Sequence, residues 1–118
     1  MSRIAPGDVV IVDLGEGVGR EQRGRRPAVV VANDGYLRLA SGLAIVVPCT
    51  TADRGWRAHV PLAGDLTLRR RTFAMTEQVR TVSPDRICGR AGRVDPRCRM
   101  AIADVVRGWL VAPPLFGP

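Results

Sequence analysis

Three short runs of β-branched and small apolar residues dominate the first half of the chain: DVVIVDL (8–14), PAVVVA (27–32) and LAIVVPC (43–49). Each is shorter than an ordinary helix and is bounded by glycine, proline or polar turn residues, so all three are expected strands. DVVIVDL alternates well enough for a strand, whereas PAVVVA and LAIVVPC are more continuously apolar, as central strands covered on both faces would be. Further strands are expected at HVPL (59–62), TFAMTEQVRTV (72–82) and RICGRAGRV (86–94), separated by Gly-Asp and Ser-Pro-Asp turns. Near the end the period changes. Asp95-Pro96 reads as an N-cap followed by proline at the first helical position. Ile102, Val105, Val106, Trp109 and Leu110 then make an apolar stripe at helical spacing, with a stop before Pro113-Pro114. Trp109, on that stripe, is expected in the core. The fold class is mainly β with α (α+β): a small SH3-like partial barrel of strongly bent antiparallel strands with a C-terminal helix packed on it. A length of 118 residues without repeats or a linker predicts one domain, 1–118.

The composition, 46% hydrophobic and 25% charged, is that of a soluble globular protein. No apolar run approaches a membrane span, and MSRIAPGDVV has neither the apolar stretch nor the cleavage site of a signal peptide, so a cytoplasmic location with no membrane partner is expected. Cys49, Cys88 and Cys98 are an odd number with no CxxC pair, and His59 is the only histidine; reduced thiols, no metal site and no cofactor are expected. His59, in RAHVPL, is expected on an exposed strand face.

Charge carries more information. All 18 basic residues are arginine, against 11 acids, for a formal net charge of +7, so the partners should be anionic. Arginine forks suit bidentate phosphate contacts and stack on bases, which points to nucleic acid. Two segments concentrate the chemistry. GEGVGREQRGRRP (15–27) has three glycines in its first half and Arg20, Glu21, Arg23, Arg25 and Arg26 in its second. Taken alone it is a solvated cationic loop, but Pro27 biases Arg26 toward an extended conformation at a strand entrance, giving that side chain a fixed direction. VVPCTTADRG (46–55) ends a buried strand with Thr50 and Thr51. Strand-end loops are common sites for function, although hydroxyls there are more often turn caps.

Together PGDVVIVDL, EQRGRRPAVVVAND, VVPCTTADRG, TEQVRTV and the final amphipathic helix resemble the MazF/PemK family of toxin endoribonucleases, in the same order from about Pro6 to Leu110. E-Q-x-G-x-R-P and P-C-T-T are specific as a pair. The resemblance implies catalytic roles for Arg26, Thr50 and Glu21. It also implies RNA contacts from Arg20, Arg23, Arg25, Thr51, Trp56, Arg69, Glu77 and Gln78. Some members carry a histidine, an arginine and an aspartate where this chain has Arg20, Met75 and Glu77. It further implies a two-fold homodimer, single-stranded RNA (mRNA) as substrate, and a MazE-like antitoxin whose tail competes for the RNA cleft.

Metal-free RNA cleavage uses the ribose 2′-OH as nucleophile and needs a proton acceptor, charge for the phosphorane and an acid for the leaving 5′-oxygen. One histidine excludes a two-histidine mechanism, and the scattered acids do not suggest a Mg²⁺ site. Arg26 is then the phosphate clamp, Thr50 a donor to the phosphate and Glu21 the better base; arginine's very high pKa favours an electrostatic role over an acid role. Two alternatives stand beside this one. A CcdB-like toxin would bind gyrase without hydrolysis, but the paired motifs belong to the ribonuclease branch. A noncatalytic SH3-like RNA-binding module would need a stacking platform, and the chain has only five aromatic residues. Trp56 and Tyr36 are each able to stack one base, and Arg69-Arg70-Arg71 to follow a phosphate backbone.

Overall fold

The computed structural model describes residues 3–111. The three valine-rich runs form β1 (Asp8–Asp13), β2 (Arg25–Val30) and β3 (Ala44–Thr50), adjacent and antiparallel. Side chains alternate across a sheet, so the valines divide between its faces. Val9, Val29 and Val47 enter one buried cluster; Val10, Val12, Val30 and Val46 enter another on the opposite face. Both faces are covered, which explains why these strands read as apolar runs.

Five more strands follow: β4 (His59–Pro61), β5 (Gly64–Leu66), β6 (Phe73–Met75), β7 (Arg80–Val82) and β8 (Ile87–Val94). A one-turn helix, α1 (Asp34–Leu37), joins β2 to β3, and α2 (Pro96–Val111) closes the described chain. The sheet runs β4-β6-β3-β2-β1-β8-β5, with β7 pairing to the first half of β3. Its curl has a local cause in β8. Val9 opposes Gly92 but Val10 opposes Arg90, and Ile11 opposes Gly89 but Val12 opposes Ile87. Each slip leaves one residue of β8 unmatched, and such bulges bend a strand and increase its twist. The result is an antiparallel half-barrel.

Asp8, buried at the start of β1, anchors this bend: its Oδ2 accepts from Ala5 N at 2.8 Å and Arg90 Nη1 at 3.1 Å, and its Oδ1 from Arg93 Nε at 2.8 Å. Asp95 caps α2, its Oδ1 accepting from Cys98 N at 2.7 Å. Cys98, Ile102 and Val106 then bury against the first cluster.

Four expectations are corrected. TFAMTEQVRTV is not one strand: the buried Thr76 donates its hydroxyl to Ala58 O at 2.6 Å, residues 76–78 form a 3₁₀ turn, and the chain re-enters the sheet as β7. The Gly-Asp turn is instead the start of β5, too short and polar to carry a strand pattern. Trp109 is 53% exposed, because the last turns of α2 run past the cluster that buries Ile102 and Val106. Its Nε1 donates to Thr76 Oγ1 at 3.0 Å. His59 is buried, covered by Trp56 and Glu77. Pro113-Pro114 lies outside the described residues, although α2 does reach Val111. Among the described residues no helix is long and apolar enough to cross a membrane.

Candidate active site

The β2–β3 pairing runs Val30–Val46, Val29–Val47 and Ala28–Pro48. Continued by two residues, that register sets Arg26 opposite Thr50, on one face of the sheet. The recorded pairing stops at Ala28, and beyond it the two strand ends frame an open groove of about 550 Å³. Arg23, Arg25, Arg26, Arg70, Thr50, Thr51, Thr72 and Cys49 line it with Pro27 and Ala52. No carboxylate or imidazole is among these lining residues. They suit an oxyanion such as a phosphodiester and lack the oxygen or nitrogen set that a divalent cation needs.

Local bonds orient the two central groups. Arg26 Nε donates to Arg23 O at 3.1 Å, which leaves the terminal nitrogens of the guanidinium for a ligand. Thr50 Oγ1 accepts from Ala52 N at 3.1 Å, so the hydroxyl's own proton remains available for donation. Cys49 is no nucleophile: burial pushes its thiol up to about 12.

A second cavity, of about 480 Å³, opens further along the same two loops, 14–24 and 51–58, and is lined by Arg20, Gln22, Arg54, Trp56, His59, Met75, Glu77 and Gln78. His59 Nε2 lies 3.0 Å from Glu77 Oε2. The Trp56 ring packs 4.9 Å from the imidazole, centroid to centroid, and the Arg54 guanidinium sits 5.3 Å from the indole centroid. Glu77 and Gln78 also border a shallower depression that holds Glu21, Gln22, Val79 and Arg80.

The family model for PemK-like, MazF-like toxins of type II toxin-antitoxin systems matches residues 5–110. The chain belongs to this family. The endoribonuclease toxin MazF of Escherichia coli (strain K12) is 36% identical over 85 residues, spanning 70% of this chain and 73% of that one. Among solved structures, MazF from Deinococcus radiodurans superposes with a TM-score of 0.81 at 21% identity, covering 93% of this chain and 98% of that one. A mycobacterial endoribonuclease in complex with its cognate antitoxin superposes at 0.71 with 22% identity, covering 98% of this chain and 97% of that one.

In this MazF-family toxin the residues singled out from sequence fall into two neighbouring groups. Arg23, Arg25, Arg26, Thr50 and Thr51 share the groove. Arg20, Trp56, Glu77 and Gln78 share the second cavity, while Glu21 lines the shallow depression beside Glu77 and not the groove. Arg69 lines neither cavity; its neighbour Arg70 takes the groove position, and Arg71 lies 5.2 Å from the Phe73 ring centroid. Tyr36 sits on α1, capped by Asn33, and lines neither. Sequence reasoning named Arg70 only within the Arg69-Arg70-Arg71 run, and missed Arg54, Gln22 and the burial of His59. The only signal for Arg70 was its membership of an arginine triplet, and period alone does not say which of three successive side chains turns inward.

Proposed function

We propose that this MazF-family endoribonuclease toxin cuts single-stranded RNA, mRNA included, in the Arg26–Thr50 groove, by attack of a ribose 2′-OH on the adjacent phosphorus. The observation that carries the reading is the convergence of four arginines and three threonines on one groove with no acid among them. As the 2′-oxygen bonds to phosphorus, negative charge grows on the non-bridging oxygens. Arg26 and the Thr50 hydroxyl are placed to donate to those oxygens, and preorganised donors of this kind are a large share of transition-state stabilisation. Glu21 takes the 2′-OH proton, the β1–β2 loop carrying it from its depression into the groove. Leu14 N bonds Gly24 O and Gly24 N bonds Gly15 O, both at 2.9 Å, so the base of that loop is closed while its tip is exposed. The 5′-oxygen departs taking a proton from solvent water, which leaves a 2′,3′-cyclic phosphate and a 5′-hydroxyl.

The toxin works in the cytoplasm as a single-domain homodimer. The apolar depression lined by Ile45, Val79, Met100, Ala103 and Leu110 offers a face for the second copy. A cationic groove of this kind also suits an acidic antitoxin tail, which would hold the toxin inactive by occupying the RNA site. The deciding experiment is incubation of purified protein with a long RNA in EDTA, followed by mapping of the ends. Cyclic phosphates, with cutting blocked wherever a 2′-deoxyribose replaces the ribose, are expected. A requirement for Mg²⁺, or 5′-phosphate products, would overturn the mechanism. RNA binding without cutting would leave only a noncatalytic module.

A further inference from the structure

We infer that the cavity around Trp56 is a pocket for one unpaired guanine of the RNA, and that buried His59 sets this preference by holding Glu77 as a fixed acceptor. The inference rests on the RNA-cutting reading and adds which base the second cavity selects.

The geometry supplies a stacking surface and a reading edge in one place. Trp56 is 54% exposed although it stands at the mouth of a cavity, and a large exposed indole is a platform for a base. The Arg54 guanidinium lies over that ring, 5.3 Å from its centroid, and offers its own plane for a base to stack on. His59 sets the tilt of the indole from below, 4.9 Å between centroids at 54°.

The reading edge is Glu77. An ionised carboxylate only accepts hydrogen bonds, so His59 Nε2 carries the proton in the 3.0 Å contact and donates to Oε2. Nδ1 is buried without a hydrogen-bond partner, a place for a bare lone pair and a poor place for a second N–H. The imidazole therefore donates in one direction, and its side chain is only 2% exposed, so it cannot swing away from the carboxylate. The Glu77 side chain is 32% exposed and lines the cavity, with one of its roughly four acceptor sites used by His59.

An acceptor-only group selects donors. Guanine presents two side by side on its Watson–Crick edge, N1–H and the N2 amino group. Adenine and cytosine each present one donor beside an acceptor that would face the carboxylate, and uracil flanks its single N–H with two carbonyls. The neighbouring Gln78 has a contact of its own, Nε2 lying 3.5 Å from Arg20 O, which leaves Glu77 as the carboxylate among the lining residues.

The test compares guanosine with inosine, which lacks the N2 amino group, at each position near a mapped cut site. In the wild-type protein one position should require guanine, and inosine there should lower cleavage about tenfold or more, the scale of one hydrogen bond to a charged group. In Glu77→Gln that ratio should collapse toward one, whatever happens to the overall rate. His59→Leu should also lower the ratio, and His59→Gln, which keeps an amide donor for Glu77, should restore part of it. A merely structural His59 would lower the melting temperature in both variants and leave the ratio unchanged. The ratio is read a second time from binding of uncleavable RNA carrying 2′-deoxyribose at the cut site. Absence of a guanine requirement at every position, or an unchanged ratio in Glu77→Gln, overturns the inference. A wild-type protein that prefers guanosine in binding but never cuts would instead overturn the cleavage reading and leave the pocket standing.

Discussion

Arg26 shows how much a single residue's setting decides. It is one of 18 arginines, yet it is the one that continues the β2 register opposite Thr50, with its Nε tied back to Arg23 O at 3.1 Å. Arg26→Ala and Thr50→Ala should each lower the rate of RNA cleavage by roughly a hundredfold, the loss expected for one transition-state donor. Melting temperatures should hardly move, since both side chains stand at strand ends. Arg26→Lys should recover little, because an ammonium cannot present two coplanar donors while a third is held by a carbonyl. Single-turnover rates check all three. Cys49, in the same groove, behaves oppositely. Burial raises its thiol from an ordinary 9.0 to about 12, and burial also raises Cys98. The unfolded chain releases the Cys49 proton first, so its contribution to stability is complete below pH 9.0 and is lost as pH rises toward about 12. Denaturant midpoints measured from pH 8 upward should fall with pH, and the fall should be shallower in Cys49→Ala. Thiol titration of the native protein at neutral pH should find the exposed Cys88 reactive and Cys49 silent.

Among the elements, β8 does the most to shape the molecule and is the least regular in sequence. Its two register slips bend it, and its second glycine permits β5 to close against it. Gly92 has φ +113°, and a Cβ there would strike the carbonyl oxygen of Asp65 in β5. Gly92→Ala should therefore cost at least about 2 kcal/mol, from backbone strain together with displacement of β5. Gly42 offers the control: its φ is +69°, and a Cβ would meet nothing within 4 Å. Gly42→Ala carries the strain without the collision, so its cost should be about 1 kcal/mol. Urea midpoints of the two variants separate the effects, and equal losses would show that the β5–β8 contact is unimportant. The 3₁₀ turn at 76–78 is the other decisive irregularity. Without it the chain would continue along β3, and Glu77 and Gln78 would not border the second cavity.

At the level of the whole molecule, a net charge of +7 favours any polyanion, but the groove concentrates only part of it. Arg70 lines the groove and Arg69 does not. Binding of RNA to a cleavage-dead Thr50→Ala protein, measured across salt concentrations, should weaken in Arg70→Ala, with the salt slope reduced by about one. Arg69→Ala should change it less. Titrating the same RNA complex with the acidic tail of the antitoxin should release the RNA, because one groove cannot hold both. RNA that stays bound at saturating tail would place the antitoxin elsewhere.

The amino-acid sequence alone determined the strands that form the centre of the sheet and the C-terminal helix. Valine runs covered on two faces and an Asp-Pro start with apolar residues at helical spacing are local patterns, and local patterns survive without knowledge of what packs against them. The same holds for the two motifs on either side of the groove, since Arg26 before Pro27 and Thr50 after Cys49 lie at the ends of the valine-rich strands that carry them. Tertiary structure alone decided the rest. Whether His59 faces water or protein depends on Trp56 and Glu77 closing over it; Glu77 is 18 residues away. Trp109 is half exposed because α2 outruns the cluster beneath it, which no helical period reports. Arg70 rather than Arg69 lines the groove because the chain's path into β6 brings that residue to its edge. Each of these outcomes depends on contacts between segments distant along the chain, and the free energy of such contacts exists only once the sheet has curled.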